Sequence, residues 1–161
     1  MSLPPRKLVK DLFEGLLGRD VDISDAPAPL SAQAAPGAAL ARYVNNAGQL
    51  TYVAAMDLAL LAHTGASIAL IPAGVSADVV KERSLPEHLL ENAAEVLNVL
   101  AAPLGDASGS RQRLDGVFGP QTTPPHELIV HAESLGSRDD VVVDIAGYGS
   151  GALAIIAVGT V

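Results

Sequence analysis

The sequence predicts an α+β fold: a mostly antiparallel six-stranded sheet packed against two long helices, with an N-terminal helix beside them. Three observations carry this. Apolar residues recur at the helical period over residues 4–18, 57–71 and from 84 to about 103. Runs rich in Val, Ile, Ala and Tyr flank turn residues at 38–56 and recur through the C-terminal third. The order is one helix, a hairpin, two helices, then strands to the end, which favours layers over alternating βαβ units.

Leu8, Val9, Leu12, Phe13, Leu16 and Leu17 follow the helical period, with Pro4 and Pro5 in front and Gly18 behind. The Pro- and Ala-rich stretch 22–37 reads as a connector. "ALARYVN" and "QLTYVAAM" flank "NAG", which predicts a hairpin over 38–56. Asp57 is placed to cap a helix running to about Ile71. Residues 76–84 read as a short helix or an irregular bridge. Ser84 and Glu87 have capping-box spacing, Pro86 falls in the first turn, and the helix they open is expected to stop near Pro103 and Gly105. Strands are predicted at 111–118, 126–133, 140–147 and 152–160, with "YGSG" at 148–151 as the last turn. The final two strands are apolar almost throughout, as strands are when both faces are covered or when they lie in an interface.

The chain has 161 residues, the length of a single domain over 1–161. Its net charge of −8 and aromatic content of 3% argue against a nucleic-acid binder, which needs cations for phosphates and rings for bases. The same charge disfavours an anionic membrane surface. There is no cysteine, which excludes disulfides, thiol chemistry and Cys-ligated zinc. The apolar run from Leu58 to Val75 is broken by His63, Thr64, Ser67 and Pro72, so it reads as a buried helix and not as a membrane span. The N-terminus carries early acids and no long apolar run, which is unlike a signal peptide. A cytoplasmic protein is the expectation.

The stretch from Ser84 to Gly105 is the informative one. At about 100° per residue, Leu89, Leu90, Ala93, Val96, Leu97 and Leu100 share one face. Glu91, Glu95 and Asn98 share the opposite face, with His88 and Asn92 beside them. An amphipathic helix needs a wetted side, and such a row is ordinarily just that. The two carboxylates at i and i+4 nevertheless repel by a few tenths of a kcal/mol, where Glu followed by Lys would attract.

The row resembles the motif of the CheC/CheX phosphatases of bacterial chemotaxis, and the layout is similar to that of CheX, with one motif in the second half. That motif is an Asp or Ser, then a Glu four residues on, an Asn three further, and a Pro a little over twenty beyond. Glu91, Glu95 and Asn98 occupy the spaced positions and Pro120 lies 22 residues after Asn98. Glu91 stands where the family has Asp or Ser. The following "VLAAPLG" lacks the expected small, Gly-containing run, and Pro103 is expected to shorten the helix. In the first half, Asp57, Leu61 and Thr64 hold the corresponding place without a Glu or Asn. The resemblance implies an α+β dimer joined through its sheet, acting on the phospho-aspartate of a CheY-type receiver. It makes Glu95 and Asn98 the catalytic pair, with Glu91, Asn92 and Pro120 in the binding surface. Asn98 would orient the attacking water, and Glu95 would pair with the receiver's active-site lysine. No cofactor is expected on this chain, because the receiver would hold the Mg²⁺. The alternative is a non-catalytic binding or flagellar adaptor module of the same fold.

Other groups suggest less. His63, His88, His126 and His131 are scattered. His126 and His131 would face opposite ways on a strand. Asp139 and Asp140 read as a solvated turn. "GYGSG" leads into a strand, so it is no phosphate-cradling loop. No nucleophile elbow or Ser–His–Asp order is present.

Overall fold

The computed structural model describes residues 2–158. Arg6–Leu17 forms α1, closed by Gly18 at φ 67°, a left-handed conformation in which a Cβ would be strained. Val9, Phe13 and Leu17 recur every four residues and are buried.

Three strands follow: Val21–Asp25 (β1), Ala38–Val44 (β2) and Leu50–Asp57 (β3). The β2–β3 hairpin is the one predicted, with Tyr43 opposite Tyr52. The predicted connector is not all connector, because its first residues belong to β1. Among the described residues that strand pairs only with the strand 138–145, Val21 facing Ile145. Five residues in which Val21 and Ile23 alternate with Asp22 and Ser24 are too short a signal against their Pro-rich surroundings.

Four helices come next: Leu58–Ile68 (α2), Ala73–Glu82 (α3), Glu87–Val99 (α4) and Ala101–Ser108 (α5). Asp57 caps α2, its carboxylate accepting from the Leu60 N–H at 2.9 Å. Residues 73–82 are helix and not an irregular bridge. The predicted capping box is absent: Pro86 occupies the N-cap of α4 and no side chain caps it. Pro103 does not stop the rod. It sits in the first turn of α5, where a missing N–H costs little, and the Leu104 N–H still reaches the Leu100 carbonyl at 3.2 Å.

The chain then forms Arg113–Phe118 (β4), His126–Ala132 (α6), Arg138–Ile145 (β5) and Gly149–Ala157 (β6). The predicted strand 126–133 is therefore a helix. Pro125 fills its N-cap at φ −54° and ψ 142°, and Leu128 and Ala132, one turn apart, are its buried residues. The last hairpin turns at residues 146–148, so "YGSG" lies mainly in β6. Asp139 and Asp140 are not a solvated turn, because Arg6 and Arg138 respectively pair with them in β5.

The six strands form one sheet in the order β1-β5-β6-β3-β2-β4, and every pairing is antiparallel. Exchanging β1, β2 and β3 for β4, β5 and β6 reverses that order and leaves it the same. Each half is thus an edge strand followed by a hairpin, related by a pseudo-two-fold between β3 and β6. The helix before β1 is α1, and the helices before β4 are α4 and α5. The topological counterpart of α4 is therefore α1, not the segment with Asp57, Leu61 and Thr64, which follows the first hairpin.

Both faces of the sheet are covered. Leu153 and Ile155 of β6 face the core under α1, α2 and α4, while Ala154 and Ile156 face a smaller core under α6. The apolar C-terminal strand is thus accounted for within the chain, since β6 lies inside the sheet between β5 and β3. Helix α2 is buried from Leu60 to Ser67, so the Ala-rich helix has no free face there. Among the described residues, no helix is long and apolar enough to cross a membrane.

Candidate functional site

Helix α4 positions the row. Leu89, Ala93, Val96 and Leu97 are buried against the core, which turns Glu91, Glu95 and Asn98 outward, and all three are exposed. Neither Glu95 nor Asn98 has a side-chain hydrogen bond or ion pair with any described residue. They are three residues apart and so adjacent on the surface. Because α5 continues α4, the stripe extends further, through Ala102 to Asp106, both exposed. From Glu87 to Ser108 there is no Lys or Arg, while Glu87, Glu91, Glu95 and Asp106 are acidic. Every formal charge on that face is negative.

Asn98 stands at the rim of an open groove of ≈ 750 Å³. Ala101, Ala102 and Gly105 line one side, and Gly109, Ser110, Arg111 and Gln112 the other. These small residues let another molecule's backbone approach Asn98 closely. The Ala102 and Asp106 positions are legible in the sequence only if the helix is carried past Pro103. The loop opposite is firmly held: the Ser110 N–H donates to the Gly105 carbonyl at 3.2 Å, and the buried Gln112 binds Thr51 and Ser108.

The other site residues fall elsewhere. Asn92 is half-buried and its Nδ2 donates to the Gly65 carbonyl of α2 at 3.1 Å, so it ties the two helices together. Pro120 lines a small pocket with Leu85, Glu87 and Leu90, at the N-terminal end of α4. Asn98 lies eight residues beyond Leu90, about 12 Å along the helix. The strand β4 runs back beside the rod, so sequence spacing does not bring Pro120 to Asn98.

His88 and His126 are exposed. His63 is buried in α2, its Nδ1 3.0 Å from Ser76 Oγ. Burial pushes its pKa below the ordinary 6.5, against a smaller upward pull from Asp57 and Asp144. The unfolded chain therefore binds the proton more readily. Stability linked to His63 is fully present above pH 6.5 and falls as the pH drops from there towards the lower folded value. Urea midpoints at pH 7.5 and about 5.5 should show the acid loss, and His63→Gln should flatten it. An equal loss in the variant would remove His63 as its source. Among the described residues, no group of three or more His, Asp or Glu side chains is arranged to hold a metal.

Known structures share this architecture. A CheC-like superfamily protein from Shewanella matches 96% of this chain and 94% of its own at TM-score 0.54 and 14% identity. Thermotoga maritima FliY matches 98% and 92% at TM-score 0.53 and 14% identity. A chain of the FliG–FliM complex from H. pylori matches 94% and 87% at TM-score 0.58 and 9% identity. No family model matches the sequence, and no curated protein matches it significantly. At such identities the likeness is one of fold: the chain has the α+β fold of these proteins.

Proposed function

We propose that this chain docks a CheY-type receiver domain against the exposed face of α4 and promotes hydrolysis of its phospho-aspartate. The observation that carries the reading is Glu95 and Asn98 together: neighbours on a rigid helix, exposed, and bonded to no described residue.

An acyl phosphate is already reactive, so the catalyst has mainly to place a water and hold geometry. The Asn98 carboxamide offers an acceptor oxygen and an NH₂ donor and does not compete as a nucleophile. Water attacks phosphorus in line, the P–O bond to the aspartyl group breaks, the carboxylate leaves, and the water's proton passes to phosphate or solvent. Glu95 pairs with the receiver's active-site lysine and fixes the docking register. The receiver supplies the Mg²⁺ ligands, so the reaction asks no metal of this chain. The partner acts in the cytoplasm, and this chain would act there too.

Asn98→Ala should reduce the acceleration of receiver dephosphorylation by about 100-fold with little change in affinity. Glu95→Ala should weaken docking instead. Equal kinetics for Asn98→Ala and the unmodified protein would end the catalytic reading.

A second reading is an adaptor of the same fold that binds a receiver or switch component without hydrolysis. It is favoured by Glu91 in the first motif position and by Pro120 lying at the far end of α4. One structural neighbour was itself solved in a FliG–FliM complex. Self-association belongs to the same proposal. With β6 internal, its routes through the sheet are the edges β1 and β4.

A further inference from the structure

We propose that Arg111 is a second catalytic residue of this face, contacting the phosphoryl oxygens of the docked phospho-aspartate. The inference rests on the receiver-phosphatase reading and deepens it. A phosphoryl group approaching Asn98 meets Glu95 and Asp106 on a rod with no Lys or Arg from Glu87 to Ser108. That field repels a dianion, and the repulsion grows with charge on the equatorial oxygens during transfer. Arg111 is the cation lining the groove that Asn98 borders.

Three features suit it to the role. Its side chain is exposed and has no hydrogen bond or ion pair with a described residue. Arg42 and Arg113, by contrast, are both held by Asp115. Its backbone is fixed between Ser110, bonded to Gly105, and the buried Gln112. The loop also packs directly on the rod: a Cβ built on Gly105 would lie 3.8 Å from Arg111 Cα. Gly105 is seven residues past Asn98, about 10 Å along the axis. An extended arginine side chain laid back along the groove is long enough to cover most of that length. Its planar fork of donors then matches two phosphoryl oxygens.

The test compares the unmodified protein with Arg111→Ala and Arg111→Lys, measuring decay of a phosphorylated receiver over a range of receiver concentrations. The expected result is a fall in kcat of at least about tenfold for Arg111→Ala with KM little changed, and partial recovery in Arg111→Lys. A raised KM at unchanged kcat would overturn the proposal and leave Arg111 a docking residue. If the unmodified protein does not speed decay, the phosphatase reading fails, and affinity for a beryllofluoride-loaded receiver decides the matter. Loss in Arg111→Ala of the preference for the loaded over the unloaded receiver would support the phosphoryl contact. Retention of that preference, or no receiver binding by the unmodified protein, would overturn it.

Discussion

Gly65→Ala is expected to destabilise the protein by about 3 kcal/mol, the upper end of ordinary overpacking costs. A Cβ at this position would stand 2.2 Å from the Leu89 carbonyl oxygen and 2.9 Å from its carbon. Those are backbone atoms of α4, so no rotamer change relieves the clash, and α2 and α4 must part. Parting them also stretches the 3.1 Å hydrogen bond from Asn92 to the Gly65 carbonyl. Alanine's helix propensity returns only about 1 kcal/mol, so the clash decides the sign. Gly74 in α3 has nothing within 4 Å of its Cβ position, and Gly74→Ala should gain up to about 1 kcal/mol. Chemical denaturation of the two variants tests the contrast. Equal stabilities would mean that the helices are not locked at this crossing.

Arg138→Ala should cost about 3–5 kcal/mol, because it strands a largely buried partner. The Arg138 and Asp140 side chains are 7% and 12% exposed and meet at 2.6 Å, with a second bond at 2.8 Å. The guanidinium also donates to the carbonyls of Leu30, Ala132 and Ser134. Asp140 in turn accepts from the Leu30 N–H at 2.8 Å. One ion pair thus pins the connector after β1 and the end of α6 to β5. A Tm drop of roughly 6–20 °C is expected at this chain length. Removing Asp140 as well should recover part of the loss, since no lone charge then remains buried. A double variant worse than the sum of the single ones would contradict that account.

Much of this architecture is legible in the sequence, and the misses have physical causes. The β2–β3 hairpin and α1 announce themselves because a whole face repeats at one period. The segment 126–132 does not, since seven residues with Leu128, Ile129 and Val130 in a row fit strand or helix equally, and only the sheet's second face selects the helix. The edge strand β1 depends on its long-range partner β5, which local pattern does not reveal. At the candidate site, the Glu91–Glu95–Asn98 row is readable because a helix fixes which residues share a face. The tertiary parts are not: Asn92 turns towards Gly65, Pro120 is carried to the other end of α4 by β4, and Arg111 is brought beside the groove by the turn after α5. A run of small residues, Ala101, Ala102 and Gly105, becomes meaningful only once the rod is seen to continue through Pro103.

The most direct measurement is the decay of a phosphorylated CheY-type receiver at fixed Mg²⁺, with no addition, with this protein, and with its Asn98→Ala variant. Decay should be faster with the unmodified protein and near-basal with the variant, although both bind the receiver. Basal decay in all three samples, with binding intact, would contradict the catalytic role of the α4 face and leave it a docking surface.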